Sequence, residues 1–276
     1  MNVQEVFQVN MHDVLQTKAP ELYKKIPGFL IDAFTKLIYL DKLNIFIKEN
    51  SALRGVELMK RFTEVVNVQF QLKGVENIPE FDTKCIFCSN HPLGGLDGIC
   101  LSVILGEKYN NRIRYLVNDI LYFIRPLQEI FVPINKHGAQ GRNAAIAVNE
   151  AFASENQIIT FPAGLCSRKS KGVISDMEWK KMFITKAIEY KRDVVPIYFE
   201  AKNSNLFYNI ANLRKRLRIK MNIEMLFLPR EMFIAENSTF TIYFGKPISW
   251  QTFDSSQTPQ QWANWLKNQV YHEIKK

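Results

Sequence analysis

Long apolar runs are missing from this sequence of 276 residues. The most apolar stretch, residues 26–40, is interrupted by Asp32 and Lys36. It is also shorter than the roughly 20 apolar residues that a membrane-spanning helix needs. Residues 1–20 contain no basic segment followed by an apolar one, which is the pattern of a secretory signal peptide. We therefore predict a chain that stays in the cytoplasm or lies on a membrane face.

Cysteine is scarce, with four residues in the whole chain, and a disulfide framework is not expected in a chain of this length without an export signal. Cys85 and Cys88 have the C-x-x-C spacing of some zinc sites, but they lie in an apolar segment and no second pair is suitably placed. A G-x-S-x-G elbow, a P-loop and a dinucleotide-binding fingerprint are missing as well. These absences argue against a zinc protein, a serine lipase and a nucleotide-dependent enzyme, so no metal and no cofactor are predicted.

Basic residues outnumber acidic ones: 36 Lys and Arg against 27 Asp and Glu, for a formal net charge of +9. Such an excess favours an anionic partner, and nucleic acid, an anionic bilayer, acyl carrier protein and the phosphates of coenzyme A all qualify. Aromatic residues make up 12% of the chain, but they occupy predicted core positions and do not alternate with Lys or Arg along one strand. A base-stacking surface is therefore not expected, and no nucleic-acid partner is predicted.

Hydrophobic residues make up 47% of the chain, which is enough for a well-buried core. Residues 1–66 are predicted to be helical and to contact a membrane. Residues 67–276 alternate between strands and helices, which is typical of an α/β domain with a largely parallel central sheet flanked by helices. The predicted strands are 66–72, 85–88, 113–117, 131–134, 158–161, 194–199 and 239–244, and the predicted helices of this domain are 97–105, 119–129, 143–154, 180–190 and 259–274.

Three loops follow predicted strands, at residues 89–98, 133–138 and 161–169. The carboxyl ends of parallel strands lie at one edge of a sheet, so these loops are expected to meet in one cleft. The first loop contains His91, which can take up and return a proton near neutral pH, and Asp97, which can fix the tautomer of the ring. The pair is a candidate for general-base catalysis. An incidental histidine in a strand-to-helix turn capped by Asp97 is the alternative that these residues leave open.

Five segments resemble, in order and spacing, the motifs of the glycerolipid acyltransferases. They are NHPLGGLD at 90–97, FVPIN at 131–135, FPAGLCSR at 161–168, VVPI at 194–197 and GKPI at 245–248. The first is similar to the family's His-x4-Asp motif, and the third to its Phe-Pro-Glu-Gly motif with the Ser/Thr-Arg element that follows. The resemblance covers most of the chain and implies a glycerolipid acyltransferase-like α/β fold. It also implies transfer of a fatty acyl group from acyl-coenzyme A or acyl carrier protein to the hydroxyl of a lipid acceptor.

Two positions depart from the family in residues associated with the glycerol-phosphate end of the acceptor. Ala163 stands where the third motif has Glu, and Asn135 stands where the second motif ends in Arg. The loss of a cation at this point argues against a phosphate-bearing acceptor. The segment NHPLGGLDG is most similar to the hemolysin-like branch of the family. That branch includes O-acyltransferases of lipoamino acids, such as ornithine and glycine lipids.

The resemblance assigns the predicted site residue by residue. His91 and Asp97 are the catalytic pair, although five residues separate them where the family has four. The glycines between them are expected to absorb the extra residue, because glycine adopts backbone angles that other residues avoid. Backbone N–H groups around Gly164 are the expected donors to the oxyanion. The predicted substrate-binding residues are Asn90, Gly94, Gly95, Asn135, Phe161, Pro162, Ala163, Gly164, Ser167, Arg168 and Lys169.

Two basic runs are predicted to bind anionic partners. Arg168, Lys169 and Lys171 follow the third motif and are candidates for contact with coenzyme A phosphates or an acidic carrier protein. Residues 213–220 interleave five basic residues with three apolar ones, which is typical of an amphipathic element on anionic lipid. A plain solvated surface is the alternative for each run. The expected partners are therefore an acyl thioester, a lipid acceptor and the anionic surface of the inner membrane face.

Other functions remain open on the residues alone. A lysophosphatidate-type acyltransferase shares the same chemistry, and a hydrolase would use the same histidine to transfer the acyl group to water. A basic membrane-binding protein without catalytic activity is a further alternative. Cys166 lies inside the third motif, so a thiol nucleophile activated by His91 or His137 is also considered.

Overall fold

In the computed structural model of this chain, one mixed sheet is covered by helices on both faces. The structure describes residues 8–18, 20–117, 124–134, 139–219 and 221–275. Within them the strands are β1 Gln69–Lys73, β2 Cys85–Ser89, β3 Ile113–Val117, β4 Phe131–Pro133, β5 Gln157–Thr160, β6 Arg168–Ser170, β7 Val173–Ser175, β8 Asp193–Glu200 and β9 Thr239–Phe244. β6 and β7 form a separate antiparallel hairpin, and the other seven form the sheet.

The strand order of the sheet is β1-β9-β8-β2-β5-β3-β4. All neighbouring strands run parallel except β8 and β9. β2 lies at the centre, and all five of its residues are buried. Strands covered on both faces read as continuous apolar runs, as β2 does. The predicted α/β fold with a largely parallel sheet is confirmed.

The helices within the described residues are, in chain order, α1 Met11–Lys18, α2 Pro20–Tyr23, α3 Gly28–Leu37, α4 Leu40–Glu49, α5 Gly55–Val65, α6 Leu96–Lys108, α7 Ala139–Ala153, α8 Met182–Tyr190, α9 Asn205–Arg216, α10 Leu228–Ile234 and α11 Pro259–His272. α5 and α6 pack on one face of the sheet, and α7, α8 and α11 pack on the other. α11 begins with a capping box in which Thr258 and Gln261 exchange hydrogen bonds, so its start is sharply defined.

The structure differs from the prediction at several places. β1 begins at Gln69 rather than at residue 66, because α5 continues to Val65 and Asn67 then turns the chain with a φ of 49°. The helix predicted at 119–129 falls partly outside the described residues, and the described remainder contains a 3-10 turn, Arg125–Leu127. The β6–β7 hairpin, α9 and α10 are not predicted by the apolar pattern, since the hairpin strands have three residues each and α9 ends in charged residues.

The N-terminal helices pack against α9 and the segment before α10. Met11, Ile31 and Phe207 belong to one buried apolar cluster that joins these elements. None of the helices in the described part of the chain is both long and apolar enough to cross a bilayer. The division of the chain at residue 67 stays a prediction.

Candidate active site

The carboxyl ends of neighbouring strands bring two of the predicted loops together. His91 follows β2 and Phe161 follows β5, which is the parallel neighbour of β2. The N–H of Ser167 donates to the carbonyl of His91 at 2.7 Å, so the first and third loops are in direct contact. The second loop follows β4, but Asn135, the residue predicted to bind substrate there, lies outside the described residues. The first and third loops therefore form one site.

His91 and Asp97 form a hydrogen-bonded pair in this site. The Nδ1 atom of His91 lies 2.9 Å from Oδ2 of Asp97. Because carboxylate oxygens only accept, Nδ1 is assigned the proton and Nε2 keeps its lone pair. The histidine side chain is 14% exposed and the aspartate side chain is fully buried, so the pair is shielded from bulk water. Among the described residues, the ring's hydrogen bonding is confined to Asp97, which leaves Nε2 able to take a proton.

Main-chain N–H groups hold the carboxylate of Asp97. Leu93 and Gly94 donate to Oδ2 at 2.9 and 3.3 Å, and Gly98 donates to Oδ1 at 2.9 Å. Asp97 lies in the first turn of α6, where a negative charge interacts favourably with the helix dipole. Gly94 has a φ of 75°, so the extra residue of the loop is taken up in a left-handed conformation that favours glycine. The geometry that the pair requires is present, and its catalytic role stays a prediction.

The aromatic ring of Phe161 covers one face of the His91 imidazole. The two ring centroids lie 3.9 Å apart and the planes differ by 22°. Tyr115 of β3 lies behind Phe161, with a centroid distance of 6.2 Å, and its hydroxyl donates to the carbonyl of Gly98 at 2.9 Å. Burial raises the pKa of Tyr115, so its phenol stays neutral. This stack fixes the plane of the imidazole from the side of β5 and β3.

Residues 161–164 form a tight turn after β5. The N–H of Gly164 donates to the carbonyl of Phe161 at 2.9 Å, and Gly164 has a φ of 68°. The turn therefore uses the N–H of Gly164 itself, and donation to an oxyanion by the N–H groups around this residue stays a prediction. The carbonyl of Pro162 accepts from the N–H of Lys180 at 3.0 Å. Ala163 is buried in the apolar cluster below α7 and α8, so its methyl group occupies core space where the family has an acid.

Asn90, Ser167 and Gly95 lie in the framework of the site. Asn90 pairs with the backbone of Phe199, from which its Oδ1 accepts at 2.6 Å and to which its Nδ2 donates at 3.0 Å. The hydroxyl of Ser167 is buried and donates to Asp176 at 2.5 Å. Gly95 precedes α6, with a φ of −163° and a ψ of −59°. These contacts support the first loop, and direct contact of these residues with a substrate stays a prediction.

Arg168 belongs to a buried ion cluster. Its guanidinium donates to Oε1 of Glu224 at 2.8 Å, and Arg214 lies 2.8 Å from the other carboxylate oxygen. The two arginine side chains are 10% and 12% exposed, so they hold the loop and α9 together rather than presenting their charge to solvent. Lys169 lies on β6, where its ammonium donates to Asn205 at 3.5 Å. Contact of Arg168 and Lys169 with an acyl donor stays a prediction.

Cys166, in the third loop, is fully buried and packs with the segment before α10. Burial raises the pKa of its thiol to about 11, although the neighbouring Arg168 guanidinium lowers it. The thiol is therefore protonated at neutral pH, whereas the thiolate is the nucleophilic form. His137, one of the two activators considered for this thiol, lies outside the described residues. Burial and protonation both disfavour a thiol nucleophile.

A cavity of about 420 Å³ opens at the same strand ends. Its wall includes Asn90 and Pro92, the two neighbours of the catalytic candidate in the first loop. Glu200 at the end of β8 and Lys202 beyond it also line the cavity, together with tyrosine side chains from β8 and α11. The cavity therefore offers polar and apolar surface next to the first loop.

Asp176 is the site residue that the sequence pattern does not indicate. It follows β7 and is 4% exposed. Its Oδ1 accepts from the main-chain N–H of His91 at 3.2 Å. It lies nine positions after Ser167 and outside every motif, so neither spacing nor periodicity marks it.

Comparison with known proteins is consistent with the geometry of the site. Residues 13–275 match the profile of a family described as acyltransferase. Two relatives are both named lyso-glycine lipid O-acyltransferase. The one from Phocaeicola vulgatus is 48% identical over 271 residues, which cover 98% of this chain and 97% of the relative. The one from Bacteroides thetaiotaomicron is 47% identical over 271 residues, which cover 98% of this chain and 99% of the relative.

A solved structure with a similar course of the chain is the 1-acyl-sn-glycerophosphate (LPA) acyltransferase PlsC from Thermotoga maritima. The match covers 88% of this chain and 91% of that chain, with a TM-score of 0.49 and 14% sequence identity. The family profile and the two relatives confirm the resemblance carried by the five sequence motifs. This chain belongs to the acyltransferase family and is an acyltransferase.

Proposed function

We propose that this enzyme transfers a fatty acyl group from an acyl thioester to the hydroxyl of a lyso-glycine lipid, with His91 as the general base. The acceptor is supported by the two relatives that carry this name, each of which is aligned over nearly its whole length. The observation that carries the chemistry is the 2.9 Å contact between Nδ1 of His91 and Asp97. Ala163, in place of an acid associated with glycerol-phosphate binding, agrees with an acceptor of another class.

The proposed reaction needs one proton to move twice. Nε2 of His91 takes the proton of the acceptor hydroxyl while the hydroxyl oxygen attacks the thioester carbonyl. Asp97 holds Nδ1–H and stabilises the imidazolium that forms. The tetrahedral intermediate then breaks its carbon–sulfur bond, and His91 returns the proton to the leaving thiolate. The products are an ester and a free thiol, and the histidine is restored without an acyl-enzyme.

The proposed donor is acyl-coenzyme A or acyl carrier protein. Both are anionic, and the net charge of +9 favours either of them by long-range attraction. Lys171, in the turn of the β6–β7 hairpin, is exposed and close in sequence to the third loop. Rates of thiol release measured in parallel with acyl-coenzyme A and with acyl carrier protein show which of the two is the donor.

We further propose that the enzyme works on the cytoplasmic surface of a membrane, where its lipid acceptor resides. Phe29, Leu30 and Leu37 of α3 are 69%, 48% and 54% exposed. Phe29 and Leu37 lie eight positions apart and so share one side of the helix. Lys36, the neighbour of Leu37 in the sequence, is also exposed and suits an anionic leaflet.

The end of α9 supports the same placement. Leu213 and Leu217 are 56% and 60% exposed. Lys215 and Arg216 are exposed between them, whereas Arg214 is held by the buried carboxylate described above. Exposed apolar side chains interleaved with cations are typical of elements that lie at a lipid interface.

The catalytic proposal is tested with purified enzyme, acyl-coenzyme A or acyl carrier protein, and lyso-glycine lipid, by following thiol release and the lipid product. His91→Ala and Asp97→Asn are each expected to lower the rate by roughly 100-fold or more. His12→Ala is the matched control, because His12 also pairs with a carboxylate, that of Asp32 at 3.0 Å, on the N-terminal helices.

Three outcomes would count against the proposal. Thiol release that persists in His91→Ala removes the histidine from the chemistry. Thiol release that needs no acceptor identifies a hydrolase. Faster acylation of lysophosphatidate than of lyso-glycine lipid favours the lysophosphatidate-type alternative.

A further inference from the structure

Asp176 ties down the main chain of His91. Its Oδ1 accepts from the N–H of His91 at 3.2 Å and from the hydroxyl of Ser167 at 2.5 Å. Ser167 in turn donates its own N–H to the carbonyl of His91 at 2.7 Å. Both polar groups of the His91 backbone are therefore held by residues from outside the first loop.

The other carboxylate oxygen of Asp176 is also occupied. Oδ2 accepts from the indole N–H of Trp179 at 2.8 Å, and the Trp179 side chain is fully buried. These three contacts are all made by donors, and a carboxylate only accepts. A carboxamide at this position would place its NH₂ group against one of these donors. The chemistry of the pocket therefore selects an acid.

The C-terminal helix holds Asp176 in place. The hydroxyl of Tyr271 accepts from the N–H of Asp176 at 2.8 Å. The ammonium of Lys267 donates to the carbonyls of Asp176 and Met177 at 2.7 and 3.0 Å. Since Tyr271 and Lys267 both lie on α11, this helix is connected to His91 through two consecutive sets of hydrogen bonds.

We propose that Asp176 is a positioning residue for acyl transfer, which keeps the His91 backbone where its ring meets Asp97 and its Nε2 meets the acceptor hydroxyl. The proposal rests on the proposed role of His91 as the base. A displacement of a catalytic group by about 1 Å can slow the reaction by roughly 100-fold. The position of the His91 ring depends on its backbone as well as on its contact with Asp97, so both need to be held in place. Asp97 holds the side chain of His91 and Asp176 holds its main chain.

The first test replaces the carboxylate. Asp176→Ala is expected to lower kcat by roughly 10- to 100-fold, with KM for donor and acceptor within about twofold of wild type. Asp176→Asn keeps one acceptor oxygen and is expected to recover part of the lost kcat. The ¹⁵N resonance of Nδ1 in histidine-labelled enzyme is expected to move in Asp176→Ala, because the bond to Asp97 changes when the backbone shifts. A purely structural role would leave this resonance unchanged in the folded fraction.

The second test leaves the buried pocket intact. Lys267→Met keeps the aliphatic stem and removes the ammonium from the two carbonyls, and it is expected to lower kcat by roughly threefold or more. Lys84→Met is the matched control, since Lys84 binds Glu155 at 2.6 Å and precedes the amino end of β2, opposite the site. It is expected to retain wild-type kcat.

The outcomes separate this inference from the proposed function. A folded Asp176→Ala variant with wild-type kcat, or one with raised KM and unchanged kcat, overturns the positioning role. If Asp176→Ala does not fold, a wild-type kcat in Lys267→Met overturns the positioning role. Activity that survives His91→Ala overturns the proposed function, in which His91 is the base. Loss of activity in His91→Ala with wild-type kcat in the Asp176 and Lys267 variants removes only the positioning role.

Discussion

Phe161 is stacked on His91, with the ring centroids 3.9 Å apart and the planes 22° from parallel. The contact joins the loop after β2 to the loop after β5, so the position of the imidazole depends on both strands. Asp97 holds the same ring at Nδ1. With one face covered and one nitrogen bound, the ring has little freedom to rotate, which keeps Nε2 pointing in a defined direction.

Phe161→Leu is expected to lower kcat by roughly 3- to 10-fold, because a stacked aromatic pair contributes roughly 0.5–1.5 kcal/mol beyond apolar burial. Initial rates of thiol release at saturating donor and acceptor measure this. Tyr190→Leu is the matched control, since Tyr190 of α8 also stacks on an aromatic ring, that of Phe152, with the centroids 5.9 Å apart and the planes 26° from parallel. Equal losses of kcat in the two variants would show that the loss comes from weaker aromatic packing in general and not from the contact with His91.

Gly94→Ala is expected to lower the free energy of unfolding by about 1–3 kcal/mol and to reduce activity in the folded fraction. Gly94 has a φ of 75°, and an added Cβ would lie 2.8 Å from Cβ of Cys166. The shift that relieves this overlap also moves the Gly94 N–H away from Asp97. Denaturant unfolding and thiol release provide the two measurements.

Gly28→Ala is the control for this prediction. Gly28 begins α3, away from the predicted site, and an added Cβ would lie 3.8 Å from Cε1 of His12, which is ordinary contact. We expect a change below about 1 kcal/mol in the free energy of unfolding and nearly full activity. If the alanine at residue 28 were as damaging as the one at residue 94, the left-handed turn would not explain the need for glycine.

The parts of the site that the sequence predicts are those made by local contacts. β2 is a buried apolar run that ends in a polar loop, and His91 and Asp97 are only six positions apart, so strand, loop and pair can be inferred together. The fold class follows from the alternation of strands and helices for the same reason. Each of these inferences uses residues that are close in the sequence.

Contacts between distant segments are not visible in the sequence. Arg168 and Arg214 were both predicted to face anionic partners, yet they share one buried carboxylate, Glu224, which lies 56 positions after Arg168. Asp176 lies on no motif and reaches His91 only because the β6–β7 hairpin returns the chain to the first loop. A run of basic residues predicts attraction to an anionic partner, but it does not show which of these residues already pair with an acid of the same chain.

Cys166→Ala is expected to keep kcat within about twofold of wild type, because a protonated, buried thiol takes no part in the proposed reaction. Loss of activity in a folded variant would instead make the thiol a nucleophile. The same variant tests the pKa of about 11, which is raised from the ordinary value of 9.0 by burial.

A raised pKa in the folded state means that the unfolded chain ionises first, so the stability due to the neutral thiol is present below pH 9.0 and is lost as the pH rises towards about 11. Wild type should therefore lose more stability than Cys166→Ala across this interval. Urea unfolding at a series of pH values measures the difference, and parallel curves for the two proteins would contradict the raised pKa.

The exposed surface of α3 is expected to determine binding to membranes. Phe29→Ser/Leu37→Ser removes two exposed apolar side chains, and burial of each in lipid is worth roughly 1.5–3 kcal/mol at most, so partitioning onto anionic vesicles should fall by roughly 10-fold or more. Val75→Ser/Ile188→Ser is the matched control, because these side chains are 49% and 38% exposed on other parts of the molecule. Sedimentation with phosphatidylglycerol vesicles measures the bound fraction.

Salt separates the apolar part of membrane binding from the electrostatic part. Raising the ionic strength screens the attraction between the basic side chains and the anionic lipid, so it should weaken binding of wild type and of both double variants. The ratio between wild type and Phe29→Ser/Leu37→Ser should persist, since apolar burial is not screened. Equal binding of the two double variants at every salt concentration would show that α3 does not enter the lipid surface. Unchanged thiol release in detergent micelles would show that the α3 variant is folded and that only its access to membrane-bound acceptor has changed.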